Sequence, residues 1–158
     1  MAPLVILVAV FLGALLVTSL RGTNSRSKIL LSLRASIAAT FFVTGTSHFI
    51  GMTAEMIEMV PNWLPAPDLI VFTTGILEIL AAMAMFSRRV APWAGLGLTA
   101  LLIAMFPANI NLALTEADLP WSQTLAPRTA IQVIFLAATS CLAIVGFKRA
   151  SASSTRRG

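Results

Sequence analysis

Six side chains in this 158-residue sequence carry chemistry that their apolar surroundings do not explain. Glu78 stands in the middle of an apolar run, with Thr74 four residues and Gly75 three residues before it. At that spacing the three share one face of a helix. A charged group at the centre of a bilayer costs about 2.5–3.5 kcal/mol on insertion scales, so Glu78 is expected to face a protein interior and to be functional. His48, the only histidine, closes the polar run Thr44-Gly45-Thr46-Ser47-His48. Imidazole titrates near neutral pH, which makes Glu78 and His48 the candidate proton carriers. Asn109 precedes Asn111 by two residues, and Arg128 and Gln132 stand at i and i+4 on a shared face. His48, Thr74, Glu78, Asn109, Arg128 and Gln132 are therefore the candidate lining of one outward-opening pocket, with Arg128 at its lip to receive an anion. A structural role competes for each of them. Asn and Gln in membrane helices join helices for about 0.6–2 kcal/mol. Arginines at span ends snorkel to the surface, and threonines bond to carbonyls one turn back. One histidine, with no nearby cysteine and no His-x-x-His spacing, predicts no metal site.

The elements that must position these residues follow from five long apolar stretches, at about 3–20, 29–50, 69–86, 90–114 and 130–147. The chain is 58% apolar and 11% charged. Soluble domains carry about 25% charged residues, so a water-exposed globule is excluded. A helix needs about 20 apolar residues to cross a bilayer, and each stretch approaches that length. A lipid-facing backbone must satisfy its own hydrogen bonds, and no alternating ten-residue pattern suggests a barrel, so the expected fold is all-α.

The charges are sorted between the stretches. Arg21, Arg26, Lys28, Arg34, Arg88, Arg89, Lys148, Arg149, Arg156 and Arg157 fall in alternate gaps, and Glu55, Glu58, Asp68, Glu116 and Asp118 in the others. Basic residues remain on the cytoplasmic side, so the alternation predicts five spans with the N-terminus outside and the C-terminus cytoplasmic, in a bacterial-type inner membrane. Only Glu78 and Arg128 break the sorting. Glu78 would lie about 14 Å below the outer end of its helix, near the midplane. The net charge of +5 flanks spans instead of forming a face, which argues against nucleic acid. The lone Cys141 excludes an intramolecular disulfide, a C-x-x-C pair and a zinc cluster. The first stretch lacks a positive n-region and is long for a signal peptide, so it is expected to remain as a span.

Residues 51–67 place Met52, Met56, Ile57, Met59 and Val60 at near-helical spacing ahead of Trp63, as an interfacial helix with an aromatic anchor would. Trp93 and Trp121 are expected as further anchors. Pro67 and Asp68 suit a helix start, whereas Pro107 lies inside a span and cannot donate to the carbonyl of Ile103. The two outer loops echo each other, so spans two–three and four–five could be parallel hairpins.

The ordered series His48-Phe49, Val60-Pro61, Trp63-Leu64-Pro65, Gly75-Ile76-Leu77-Glu78, Arg88-Arg89, Phe106-Pro107-Ala108-Asn109-Ile110 and Arg128-x-x-x-Gln132 resembles the DoxX family of small membrane proteins. The resemblance implies a four-helix membrane bundle over 29–147. The N-terminal transmembrane helix and basic linker of 1–28 would be an addition, and 148–158 a disordered basic cytoplasmic tail. It also implies association with membrane oxidoreductases, including quinone-linked and redox-stress complexes. The chain carries no haem, flavin or nicotinamide motif, so on this resemblance a redox centre would belong to a partner enzyme or be a quinone bound in the bundle, and the cofactor itself is left open. An accessory membrane subunit is expected in preference to a stand-alone catalyst. The expected partners are the lipid bilayer, a redox enzyme and, as a further candidate, a second copy of the chain. The alternatives are a non-catalytic assembly or cargo-binding membrane protein and, ranked below it, a small-solute transporter, for which no span is broken by paired Gly/Pro near its middle.

Overall fold

In the computed structural model, residues 2–115, 120–121 and 124–155 are described. They form six helices: α1 (Ala2–Leu20), α2 (Ser25–Ser47), α3 (Thr53–Met59), α4 (Pro67–Ala84), α5 (Ala91–Thr115) and α6 (Leu125–Thr155). No strand occurs among the described residues. All but α3 are long and apolar enough to cross a membrane. Glu116, Asp118, Arg156 and Arg157, which entered the charge-sorting argument, lie outside the described residues.

The helix ends follow local chemistry. Gly22 adopts the left-handed conformation at φ 65° after α1, and Gly51 at 85° after α2, where a side chain would be strained. Pro67 occupies the first turn of α4, where a missing N–H costs nothing. Pro107 sits inside α5, which continues past it. The segment 148–155, expected as a disordered tail, instead extends α6 to Thr155. Nothing in Lys148-Arg149-Ala150-Ser151-Ala152 breaks a helix, and Ser151 Oγ donates to Phe147 O at 3.2 Å.

α2, α4, α5 and α6 close a four-helix ring in which each packs on two neighbours, while α1 lies outside against α2. The tightest contacts within the ring are α2 with α4 and α5 with α6. Both pairs are set by glycine. A Cβ on Gly45 would stand 2.8 Å from Ile79 Cγ1, and one on Gly75 would stand 2.6 Å from His48 Cβ. On the other pair, a Cβ on Gly95 would stand 3.0 Å from the Thr139 carbonyl oxygen and one on Gly146 would stand 2.5 Å from Pro92 Cγ. Without aqueous solvent to drive helices together, close backbone approach and packing carry the association. Between the two pairs the core is apolar, with Ile37, Phe41, Ala82, Leu98, Phe135 and Leu142 buried and Phe41 edge-on to Phe135 at 5.9 Å.

α2 is the most buried of the five long helices, and its pattern shows why. Ser32, Ser36, Thr40, Thr44 and His48 recur every four residues. Four residues turn a helix by about 400°, so this row advances roughly 40° per step. It winds from Ser36, beside α1 residues Leu7 and Phe11, to Thr44 and His48 against α4. Small hydroxyl residues thus permit close packing on both neighbours. At the far end of α4, the Arg34 guanidinium donates through Nε (3.0 Å) and Nη2 to the Met85 carbonyl. It satisfies an acceptor that a helix C-terminus leaves open.

Candidate functional site

The sequence of α2 and α4 contains one motif twice: Thr44-Gly45-x-x-His48 and Thr74-Gly75-x-x-Glu78. Because α2 and α4 run antiparallel, the two copies meet head to tail, with the glycines at the closest approach. Thr44 Oγ1 donates to Glu78 Oε2 at 2.5 Å. Reciprocally, Thr74 Oγ1 lies 3.3 Å from His48 Nδ1. His48 Nδ1 is 2.8 Å from the Val71 carbonyl, which can only accept, so Nδ1 carries the proton and Nε2 points to the acid. Nε2 stands 3.7 Å from Glu78 Oε1, an ion-pair separation and too long for a hydrogen bond. Thr74 Oγ1 donates to the Ile70 carbonyl at 2.9 Å, or to that of Val71 at 3.0 Å. Thr53 Oγ1 donates to the His48 carbonyl at 2.8 Å. His48 is 3% exposed and Glu78 4%. A carboxyl and an imidazole thus face each other, both almost fully buried, between α2 and α4.

The other candidate residues form a second network among α3, α5 and α6. Arg128 Nη1 donates to Asn109 Oδ1 at 3.0 Å. Asn109 Nδ2 donates to Gln132 Oε1 at 2.6 Å, and Gln132 Nε2 donates to the Leu102 carbonyl at 2.6 Å. The relay ends on α5 one residue before Ile103, whose carbonyl Pro107 deprives of its helical donor. The interrupted stretch of the ladder and the inserted Gln132 side chain are therefore adjacent. Arg128 Nη1 also approaches Met59 Sδ at 3.8 Å, and Asn111 Nδ2 donates to the Met59 carbonyl at 3.2 Å. These contacts tie the short α3 to the α5–α6 pair.

The six residues expected to line one pocket are therefore brought together as two groups, {His48, Thr74, Glu78} and {Asn109, Arg128, Gln132}. Each group belongs to one tight helix pair, and no hydrogen bond or ion pair joins them among the described residues. Two grooves are present elsewhere. One, of about 220 Å³, runs between α1 and α2 beside Leu7, Phe11 and Leu33. The other, of about 560 Å³, lies between α4 and α5 beside Leu77, Ala81, Ala94, Leu98 and Leu101. None of the six candidate residues lines either groove. No set of three or more His, Cys, Asp or Glu side chains is placed to hold a metal among the described residues.

Sequence reasoning passed over Thr44, the partner of Glu78, and the carbonyls of Val71 and Leu102. The repeated Thr-Gly-x-x-polar spacing would have revealed Thr44. The carbonyls leave no sequence signal, because every residue has one.

The comparisons with known proteins correct one expectation. No curated protein and no solved structure matches the chain. The family model that does match covers residues 37–143, well over half the chain, and it is not that of DoxX. The resemblance to DoxX is not upheld. Its motifs were short pairings of aromatic, proline, glycine and one polar residue, which membrane helices of many families place at span ends and helix crossings for the same physical reasons. The description DoxX-like for residues 29–147 falls with it. The chain belongs to the family of the domain of unknown function DUF8561.

Proposed function

We propose that the chain is a five-span membrane protein, with its N-terminus outside and its C-terminus cytoplasmic, that acts as a non-catalytic assembly partner. The observation carrying this reading is the closure of the polar set. His48, Glu78 and Gln132 are 3%, 4% and 6% exposed, and each is engaged by groups of the protein itself. Protein atoms cover these three side chains almost completely, and their contacts are those that hold membrane helices together. Five helices of spanning length support the membrane reading, and the sorting of Lys/Arg against Asp/Glu supports the orientation. The exposed α3 segment, carrying Met52 and Trp63, is the surface offered to a partner. The test is crosslinking from a photoreactive residue at position 63, in the native membrane, with the same partner captured from wild type and Glu78→Gln. Loss of the partner in Glu78→Gln, or a stoichiometric small molecule extracted from wild type and missing from the variant, would overturn the reading.

A second reading, a membrane subunit serving a quinone-linked oxidoreductase, retains one supporting observation. The α4–α5 groove is apolar and of a size for an isoprenoid tail, and it passes Leu77, next to Glu78. No polar side chain lines it to receive a quinone ring, which places this reading second. Solvent extraction of the purified protein for lipid-soluble carriers separates the two.

A further inference from the structure

Arg128 is the only Lys or Arg in a gap of the sequence that carries carboxylates, and its Nε and Nη2 make no hydrogen bond among the described residues. Nη1 is taken by Asn109 Oδ1 and approaches Met59 Sδ. Asn109 is itself held by Gln132, and Gln132 by the Leu102 carbonyl. The plane of the guanidinium is thereby set by a relay anchored on the backbone of α5. Nε and Nη2, which together form the side-on edge of the group, have no partner among the described residues, and no carboxylate of the described residues, which do not include Glu116 and Asp118, lies within ion-pairing distance of it.

Two physical arguments say that this edge is not simply a snorkelling end. A cation in the first turn of α6 opposes the helix dipole, so its position there is unfavourable without a compensating negative charge. A side chain reaching for water would also gain nothing from a three-member relay that orders its head group. A fixed planar fork with two parallel donors fits two oxygens of one oxyanion. The first turn of a span lies at the depth of lipid head groups, where phosphate oxygens are abundant.

We propose that Arg128, oriented by Asn109 and Gln132, is a phosphate-binding site at the junction of α3, α5 and α6, taking two phosphate oxygens on its Nε–Nη2 edge. The phosphate comes from a lipid head group or from a soluble phosphate. This inference does not depend on the assembly role, since it concerns a different helix pair and a different ligand.

The experiment uses the full chain in detergent micelles. Arginine modification by phenylglyoxal in phosphate-free buffer is mapped by peptide mass spectrometry, with phosphatidylglycerol added in one arm and inorganic phosphate in the other. The expected result is at least about tenfold slower modification of Arg128 in one arm, as loss or gain of a charge-assisted bidentate contact implies, while Arg89, exposed at the opposite end, is unaffected. Protection by the lipid alone identifies a head group, and protection by inorganic phosphate identifies a soluble ligand. Equal protection of Arg89, or none at Arg128 in either arm, overturns the proposal. Arg128→Lys keeps the charge and removes the fork. Lipid or phosphate retained by this variant at the wild-type level would overturn the proposal as well.

Discussion

Replacing Gly75 by alanine gives the sharpest test of how the two polar halves are held together. Its Cβ would sit 2.6 Å from His48 Cβ and 3.0 Å from both His48 Cγ and Phe49 Cε2. Carbon atoms prefer separations of about 3.5–4.0 Å, so α2 and α4 must part by roughly 1 Å. Overpacking of this kind costs about 1–3 kcal/mol. The same movement stretches the 2.5 Å bond from Thr44 to Glu78, at a further cost of about 0.5–1.5 kcal/mol. Alanine returns up to about 1 kcal/mol in helix propensity, leaving a net destabilisation of about 0.5–4.5 kcal/mol. Gly97 is the matched control. A Cβ there meets nothing within 4 Å, so Gly97→Ala retains only the propensity gain and should be neutral or stabilising by up to about 1 kcal/mol. Reversible unfolding in mixed micelles, followed by circular dichroism, measures both. Equal stabilities for the two variants would refute the claim that glycine contact sets the α2–α4 pair.

Three further predictions address other links. A double-mutant cycle with Asn109→Ala and Gln132→Ala should return a coupling of about 0.6–2 kcal/mol in the same unfolding assay, and additivity would mean the 2.6 Å contact is not formed. Ser32 Oγ is buried without a hydrogen-bond partner, so Ser32→Ala should leave stability unchanged or raise it by up to about 1 kcal/mol. A loss of more than about 1 kcal/mol there would reveal a partner for the hydroxyl. In a Cys141→Ser background, cysteines introduced at Glu55 and Arg88 should react with an impermeant maleimide from opposite sides of sealed vesicles. Labelling of both from one side would refute the five-span topology.

Arg34 illustrates how a residue can obey one rule and serve another. Its place among the basic residues belongs to the charge sorting of the sequence, and its position beside the Met85 carbonyl follows from packing of α2 on α4. The sorting argument locates the charge but says nothing of the cap. Pro107 is a similar case. Its missing N–H is legible in the sequence, whereas the arrival of Gln132 at the neighbouring Leu102 carbonyl depends on how α6 lies on α5.

The sequence by itself determined the helical elements and their apolar character, because span length, backbone self-satisfaction and charge sorting are properties of a linear string. It also singled out His48, Glu78, Asn109, Arg128 and Gln132 as polar groups that need partners. Which partners they take was decided only by tertiary structure. The pairing depends on which helices touch, and within the ring the tight contacts fall between α2 and α4 and between α5 and α6. Four helices expected to surround one pocket therefore make two separate clasps. Short polar side chains reach only about 3 Å beyond their own helix surface to a bonding partner, so the closest neighbour captures each of them before a shared cavity can form.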